Sequence, residues 1–193
     1  MEDAAARRRG LPQARRAPED LVLVKDHVFP RDAAMMVGVA VGIAIGILNA
    51  MLGVIFPSWL ATIGLLILSL AVVLLLHEGL HGLAGKLLGY APIFGVEPPL
   101  VFTTFNEKIR RRDLIIIALA PLVILDAVFV AAYTLGPWQI FWNICFAVNT
   151  IGAIGDCWIT WKVLGHPEDT WFQDTKSGTQ AWRVEGARGS MGE

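Results

Sequence analysis

Four long apolar runs, separated by short polar breaks, dominate the chain: residues 33–56, 59–88, 113–134 and 138–164. Each exceeds the ~20 residues that a helix needs to cross ~30 Å of hydrocarbon. Pro57-Ser58 and Gly136-Pro137 separate the members of each pair, so the pattern predicts two tight helical hairpins. Trp59 and Trp138 stand just after those turns, where an aromatic belt is expected. The predicted fold is an all-α membrane protein with four transmembrane helices and a β-prone loop between the second and third.

The segments between these runs carry weaker patterns. Residues 1–20 mix Ala, Arg, Pro and acids without periodicity and are expected to be partly disordered. Leu21 to Val28 reads as a short strand or surface segment before Phe29-Pro30. In the central loop, residues 89–112, Pro98-Pro99 precedes Leu100-Val101-Phe102-Thr103-Thr104-Phe105, which predicts a strand or a short hairpin. The stretch after Gly165 is polar, with Trp171, Phe172 and Trp182 spaced along it, and is expected to lie on the bilayer surface. The implied organisation is an N-terminal segment (1–32), a four-helix membrane domain (33–164) and a C-terminal tail (165–193). No internal repeat and no removable signal peptide is read.

Composition strengthens the membrane reading. Apolar residues make up 55% of the 193 and charged ones only 17%, against ~25% charged in soluble domains. The net charge of -1 offers no basic surplus for nucleic acid, but its distribution is informative. Seven Lys and Arg precede the first span, five lie from the end of the second to the start of the third, and four lie at or after the end of the fourth. The two tight turns have none. Both termini and the central loop are therefore expected in the cytoplasm, with the bilayer, the cell membrane, as the chain's partner. Lys108, Arg110, Arg111 and Arg112 read as a surface anchor, with lipid-specific recognition as the alternative. Cys145 and Cys157 lie twelve positions apart in one run, ~18 Å along a helix, too far to pair.

Chemistry concentrates at the end of the second run, in His77-Glu78-Gly79-Leu80-His81. In this H-E-x-x-H pattern, histidines four apart share a helix face and can grip one Zn²⁺. The Glu between them is placed as the base that takes a proton from water the metal activates. Ionisable residues in so apolar a helix are costly and point to function; the alternatives are a structural polar cluster or a non-catalytic metal site.

A third ligand is expected, and Asp156 is nominated on depth and face. His77 lies eighteen residues after Trp59 and Asp156 eighteen after Trp138, so both sit ~27 Å below the outer face. Asn149, Gly152, Ala153 and Asp156 form a small-and-polar stripe at i, i+3, i+4, i+7. The alternative for Asp156 is a helix-end carboxylate meeting water or Lys162. Asn149, on the same face, reads equally as a substrate or oxyanion contact or as an interhelical hydrogen bond. Asp126 falls near its depth and is expected to pair with Asn149 or with water. His27 and His166 are read as surface residues without a paired partner. Cys157 points ~100° away from Asp156. Gly38, Gly42 and Gly46 predict a close-packing face for another helix, within the chain or in a homodimer. Pro121 is expected to kink the third span.

Together with the run Ile117-Ala118-Leu119-Ala120-Pro121 and the late Gly155-Asp156, this motif resembles a domain-of-unknown-function family described as putative zincin peptidases. It is also similar to site-2 proteases, although those place a Gly after the ligand Asp where Cys157 stands here. The resemblance covers roughly residues 60–175. It implies His77, His81 and Asp156 as zinc ligands, Glu78 as base, and a substrate strand added edge-on to the β-prone loop. The expected function is an intramembrane zinc metallopeptidase that cuts a membrane-associated protein or peptide near the cytoplasmic face. The alternative is a non-proteolytic zinc-binding membrane protein, such as a sensor or transporter subunit.

Overall fold

The computed structural model describes residues 17–52, 54, 58–97, 100–175 and 178–185. Most of the N-terminal stretch expected to be disordered lies outside the described residues, as do Pro57 of the first turn and Pro98-Pro99. The elements run β1 (Leu21–Val28), α1 (Arg31–Met51), α2 (Trp59–Leu87), β2 (Pro92–Glu97), β3 (Leu100–Phe105), β4 (Ile109–Arg110), α3 (Arg111–Leu135), α4 (Gln139–Gly152), α5 (Ile154–Leu164), β5 (Trp171–Thr175) and β6 (Gly178–Val184). Taking α4 and α5 as one span, four helices are long and apolar enough to cross a membrane. The all-α expectation is corrected: the strands form two sheets. Backbone polar groups outside the helices still need partners, and strand pairing supplies them.

The described chain forms two compact units. The first comprises residues 30–80 and 119–157 and is helical. Its core gathers Val73, Leu125, Phe129 and Cys145, with Leu80, Phe141, Trp142, Phe146 and Val148 packed around them. Large apolar side chains also face outward, Ile67, Leu75 and Val123 among them, each more than 60% exposed. Helices apolar on both faces suit a lipid solvent. Gly38 and Gly42 lie against Ile151, so α1 packs on α4 through two of the three glycines read from the sequence; among the described residues nothing lies within 4 Å of a Cβ at Gly46. A reciprocal amide pair, Asn49 with Asn143 at 3.1 and 2.7 Å, joins the same two helices.

The second unit holds the rest of the described chain. One antiparallel sheet runs in the order β1-β6-β5-β4. Leu21 pairs with Val184 and Val28 with Gly178, with a shift between Leu23 and Lys25. Trp171 pairs with Trp182, and Ile109 with Phe172. Of the tail, Trp171–Thr175 and Gly178–Val184 pair within this sheet. Phe172 is fully buried with Val163 and Ala181, and burying a ring that size stabilises by ~1.5–3 kcal/mol. The loop strand predicted near residues 100–105 is present as the hairpin β2–β3, with Pro92 opposite Phe105 and Glu97 opposite Leu100.

This unit also absorbs part of the basic run. Arg111 donates from Nε to Val163 O at 3.2 Å and from Nη2 to Leu164 O at 3.1 Å, capping the C-terminal end of α5. Lys108 sits 3.8 Å over the ring of Trp182.

Candidate metal centre

Helix α2 carries His77, Glu78 and His81 within little more than one turn, and one ligand atom from each falls within 4.8 Å of the others. Both histidines are buried. What surrounds each ring decides what it can hold.

His77 meets α4 and α5 at both ring nitrogens. Nδ1 lies 2.9 Å from Asn149 Oδ1, and Nε2 lies 3.0 Å from Asp156 Oδ2. Asn149 Nδ2 donates to Asp126 Oδ1 at 2.9 Å and to Pro121 O at 3.2 Å. Both of those atoms are acceptors, so the amide's orientation is settled, and the oxygen is what it turns to His77. The hydrogen between Asn149 and His77 therefore belongs to Nδ1. Nε2 then faces that carboxylate oxygen at 3.0 Å, either as a second donor or as a lone pair. Two acceptors at that distance repel unless a proton or a cation lies between them. A zinc ion answers this requirement, because it takes neutral imidazole nitrogen and carboxylate oxygen together.

His81 follows the same logic with a different partner. Its Nδ1 donates to the backbone carbonyl of Ile117 at 2.8 Å, leaving the lone pair on Nε2. That carbonyl is available because Pro121 lies four residues on and has no N–H to return to it. Histidines that ligate a metal almost always spend their other nitrogen on such an acceptor. The donor set therefore fits zinc.

The sequence expected Asp156 at the depth of His77 and Asn149 on the same face ~10 Å above it, and the structure brings both to that one imidazole. Between them the fourth span breaks at Ala153, whose N–H bonds back to Asn149 O at 2.9 Å. Asp156 thus falls in the first turn of α5, where helix geometry suits an anion. Asn149 makes interhelical hydrogen bonds, the second of its two readings; an oxyanion contact would require it to give one up. Asp126 pairs with Asn149, and its Oδ2 accepts from Thr150 Oγ1 at 3.0 Å. Cys157 is exposed and Cys145 buried, and neither is in a disulfide. One expectation is corrected outright. His27 and His166 are paired with each other, Nε2 to Nε2 at 2.8 Å. The role of the Ile117 carbonyl was missed, although Pro121 marks it.

Beyond His81, α2 continues with Gly82 and Gly85. The ring of Phe94 lies against Gly82 and that of Phe105 against Gly85, so closely that a Cβ at either glycine would collide. The hairpin β2–β3 is thereby seated on the turn that follows the motif.

A family model described as putative zincin peptidase matches residues 70–171, more than half of the chain. The chain belongs to this family. The match takes in the motif, the hairpin, Pro121, Asn149 and Asp156. A curated protein of Pyrococcus woesei, the uncharacterized 24.7 kDa protein in the gap 5′ region, is 33% identical over 110 residues. The aligned stretch covers 54% of this chain and 48% of that one, so this chain spans about half the length of the relative. No solved structure matches.

Proposed function

We propose that this protein is an intramembrane zinc metallopeptidase that hydrolyses a peptide bond of a membrane-associated protein near the cytoplasmic face. The observation that carries the reading is the state of the two histidines. Each engages an oxygen acceptor through Nδ1, so each presents Nε2 as the ligating nitrogen. His77, His81 and Asp156 would hold the ion. Zinc bound there would polarise a substrate carbonyl and make hydroxide accessible near neutral pH.

The rest of the work falls to the chain itself. Glu78 needs no place in the ligand set for the ion to be held, and it flanks the histidines where a base is required. It takes the proton from the attacking water as the oxygen bonds to the carbonyl carbon. It then delivers that proton to the amide nitrogen as the C–N bond breaks. The hairpin β2–β3 supplies a strand edge on which an extended substrate segment adds, held by backbone hydrogen bonds. Its seat on Gly82 and Gly85 aligns that segment with the helix turn bearing His81.

Glu78→Gln tests this reading. It keeps size and hydrogen-bonding shape but removes the basic carboxylate. Purified protein should retain zinc, while cleavage of a membrane-embedded substrate falls by ~10²–10⁴-fold. Full activity in this variant, with zinc still needed, would replace the peptidase with the non-proteolytic zinc protein.

A further inference from the structure

We propose that Asp126 is a positioning residue for the metal centre: by fixing the Asn149 amide it sets the protonated nitrogen of His77. The proposal rests on the metallopeptidase reading for its purpose, but its geometry stands apart from it. The chain of contacts runs Asp126 Oδ1, Asn149 Nδ2, Asn149 Oδ1, His77 Nδ1, with links of 2.9 and 2.9 Å. Only the far end of this chain touches a proposed ligand.

Each link has a direction. The Asp126 oxygen facing Asn149 accepts, as Pro121 O does, so it takes the NH₂ end of Asn149. The amide oxygen must then face His77, and the ring must place its hydrogen on Nδ1. Nε2, the nitrogen beside Asp156, is left with the lone pair that a metal needs. An amide at position 126 would not enforce this order. It can present either end, which lets Asn149 turn over and donate to Nδ1. The His77 hydrogen would then move to Nε2, the ligating position. Pro121 O favours the present orientation but lies farther off, at 3.2 Å against 2.9 Å for Asp126.

A carboxylate inside an apolar helix is costly, which argues for a specific use. The other contact to Asp126, from Thr150 Oγ1, does not reach His77. Thr150 also lies 2.8 Å from Phe146 O, so its hydroxyl has a second acceptor if Asp126 is changed. The two contacts can therefore be separated by mutation.

The experiment uses the purified full chain with ¹⁵N-labelled histidine, the His77 signal being assigned by its loss in His77→Ala. In the metal-free wild type, Nδ1 of His77 should carry a proton; a bare Nδ1 there overturns the proposal without any variant. In Asp126→Asn, part of the His77 population should lose the Nδ1 proton. Zinc affinity, measured by competition with a chromophoric chelator, should fall by ~10–100-fold. Thr150→Val should leave the His77 signal unchanged and zinc affinity within about threefold, far short of that loss. An Asp126→Asn protein with an unchanged His77 signal and zinc affinity, or a Thr150→Val protein equally impaired, contradicts the proposal. Absence of zinc binding in the wild type would sink the metallopeptidase reading, while the imidazole signal would still decide the role of Asp126.

Discussion

Where His27 meets His166 at 2.8 Å, a single proton can lie between two nitrogens. Burial, then Lys25 and Lys162, holds His27 below its ordinary 6.5, with Asp26 opposing. Burial, then His27, Lys25, Arg111 and Arg183, lowers His166 in the same way. The unfolded chain therefore takes up protons first as pH falls. Stability from this pair is present in full above ~6.5 and is lost as pH drops below that value toward the folded-state pKa values. Thermal melts of the purified protein should show a midpoint that falls in the window below about pH 6.5, and the double variant His27→Leu/His166→Leu should flatten that slope. A wild-type midpoint constant across that window would contradict the assignment. These histidines stand 139 positions apart, so no spacing rule could bring them together. His77 and His81 were legible because four positions on one helix define their geometry. Asp156 was legible through depth, which the common length of two spans conveys, and Asn149 through the helix face it shares with Asp156. The destination of each Nδ1 was not, since it depends on how α3 and α4 rotate about their axes.

Helices were the most readable elements, because their apolar runs are long and are bounded by turn residues. Strands were less so, for reasons visible in particular residues. In β5, Trp171 and Phe172 are consecutive and both buried, so the period-two signal is absent. In β6 the inward positions are Thr179 and Ala181, too small or polar to mark a core face. Pro121 shows a helix feature with two consequences. It removes a donor within α3 and leaves the Ile117 carbonyl to His81, while its own carbonyl accepts from Asn149. Pro121→Ala restores an N–H that competes for Ile117 O. Folding should be retained and zinc affinity should weaken by ~10-fold or more, as for loss of other outer-shell partners. Unchanged affinity by chelator competition would show that the freed carbonyl is incidental.

At the level of the molecule, the basic residues and the apolar helices make a joint statement. All sixteen Lys and Arg avoid the two tight turns. Both termini are therefore expected on the cytoplasmic side, together with the hairpin β2–β3. Reporters fused at residues 57 and 137 should read as external, and reporters at either terminus as cytoplasmic; a cytoplasmic reading at both turns would break the four-span map. The β-rich unit was the least legible part of the whole, because its sheet joins segments from both ends of the chain.

Metal analysis of the purified chain decides whether α2 and Asp156 together hold one zinc ion. Wild-type protein should carry about one zinc per chain. His77→Ala and His81→Ala should carry essentially none, Asp156→Ala should bind more weakly, and Cys157→Ser should match the wild type. Wild-type protein without zinc after metal loading, or zinc retained in full by His77→Ala, would contradict the account.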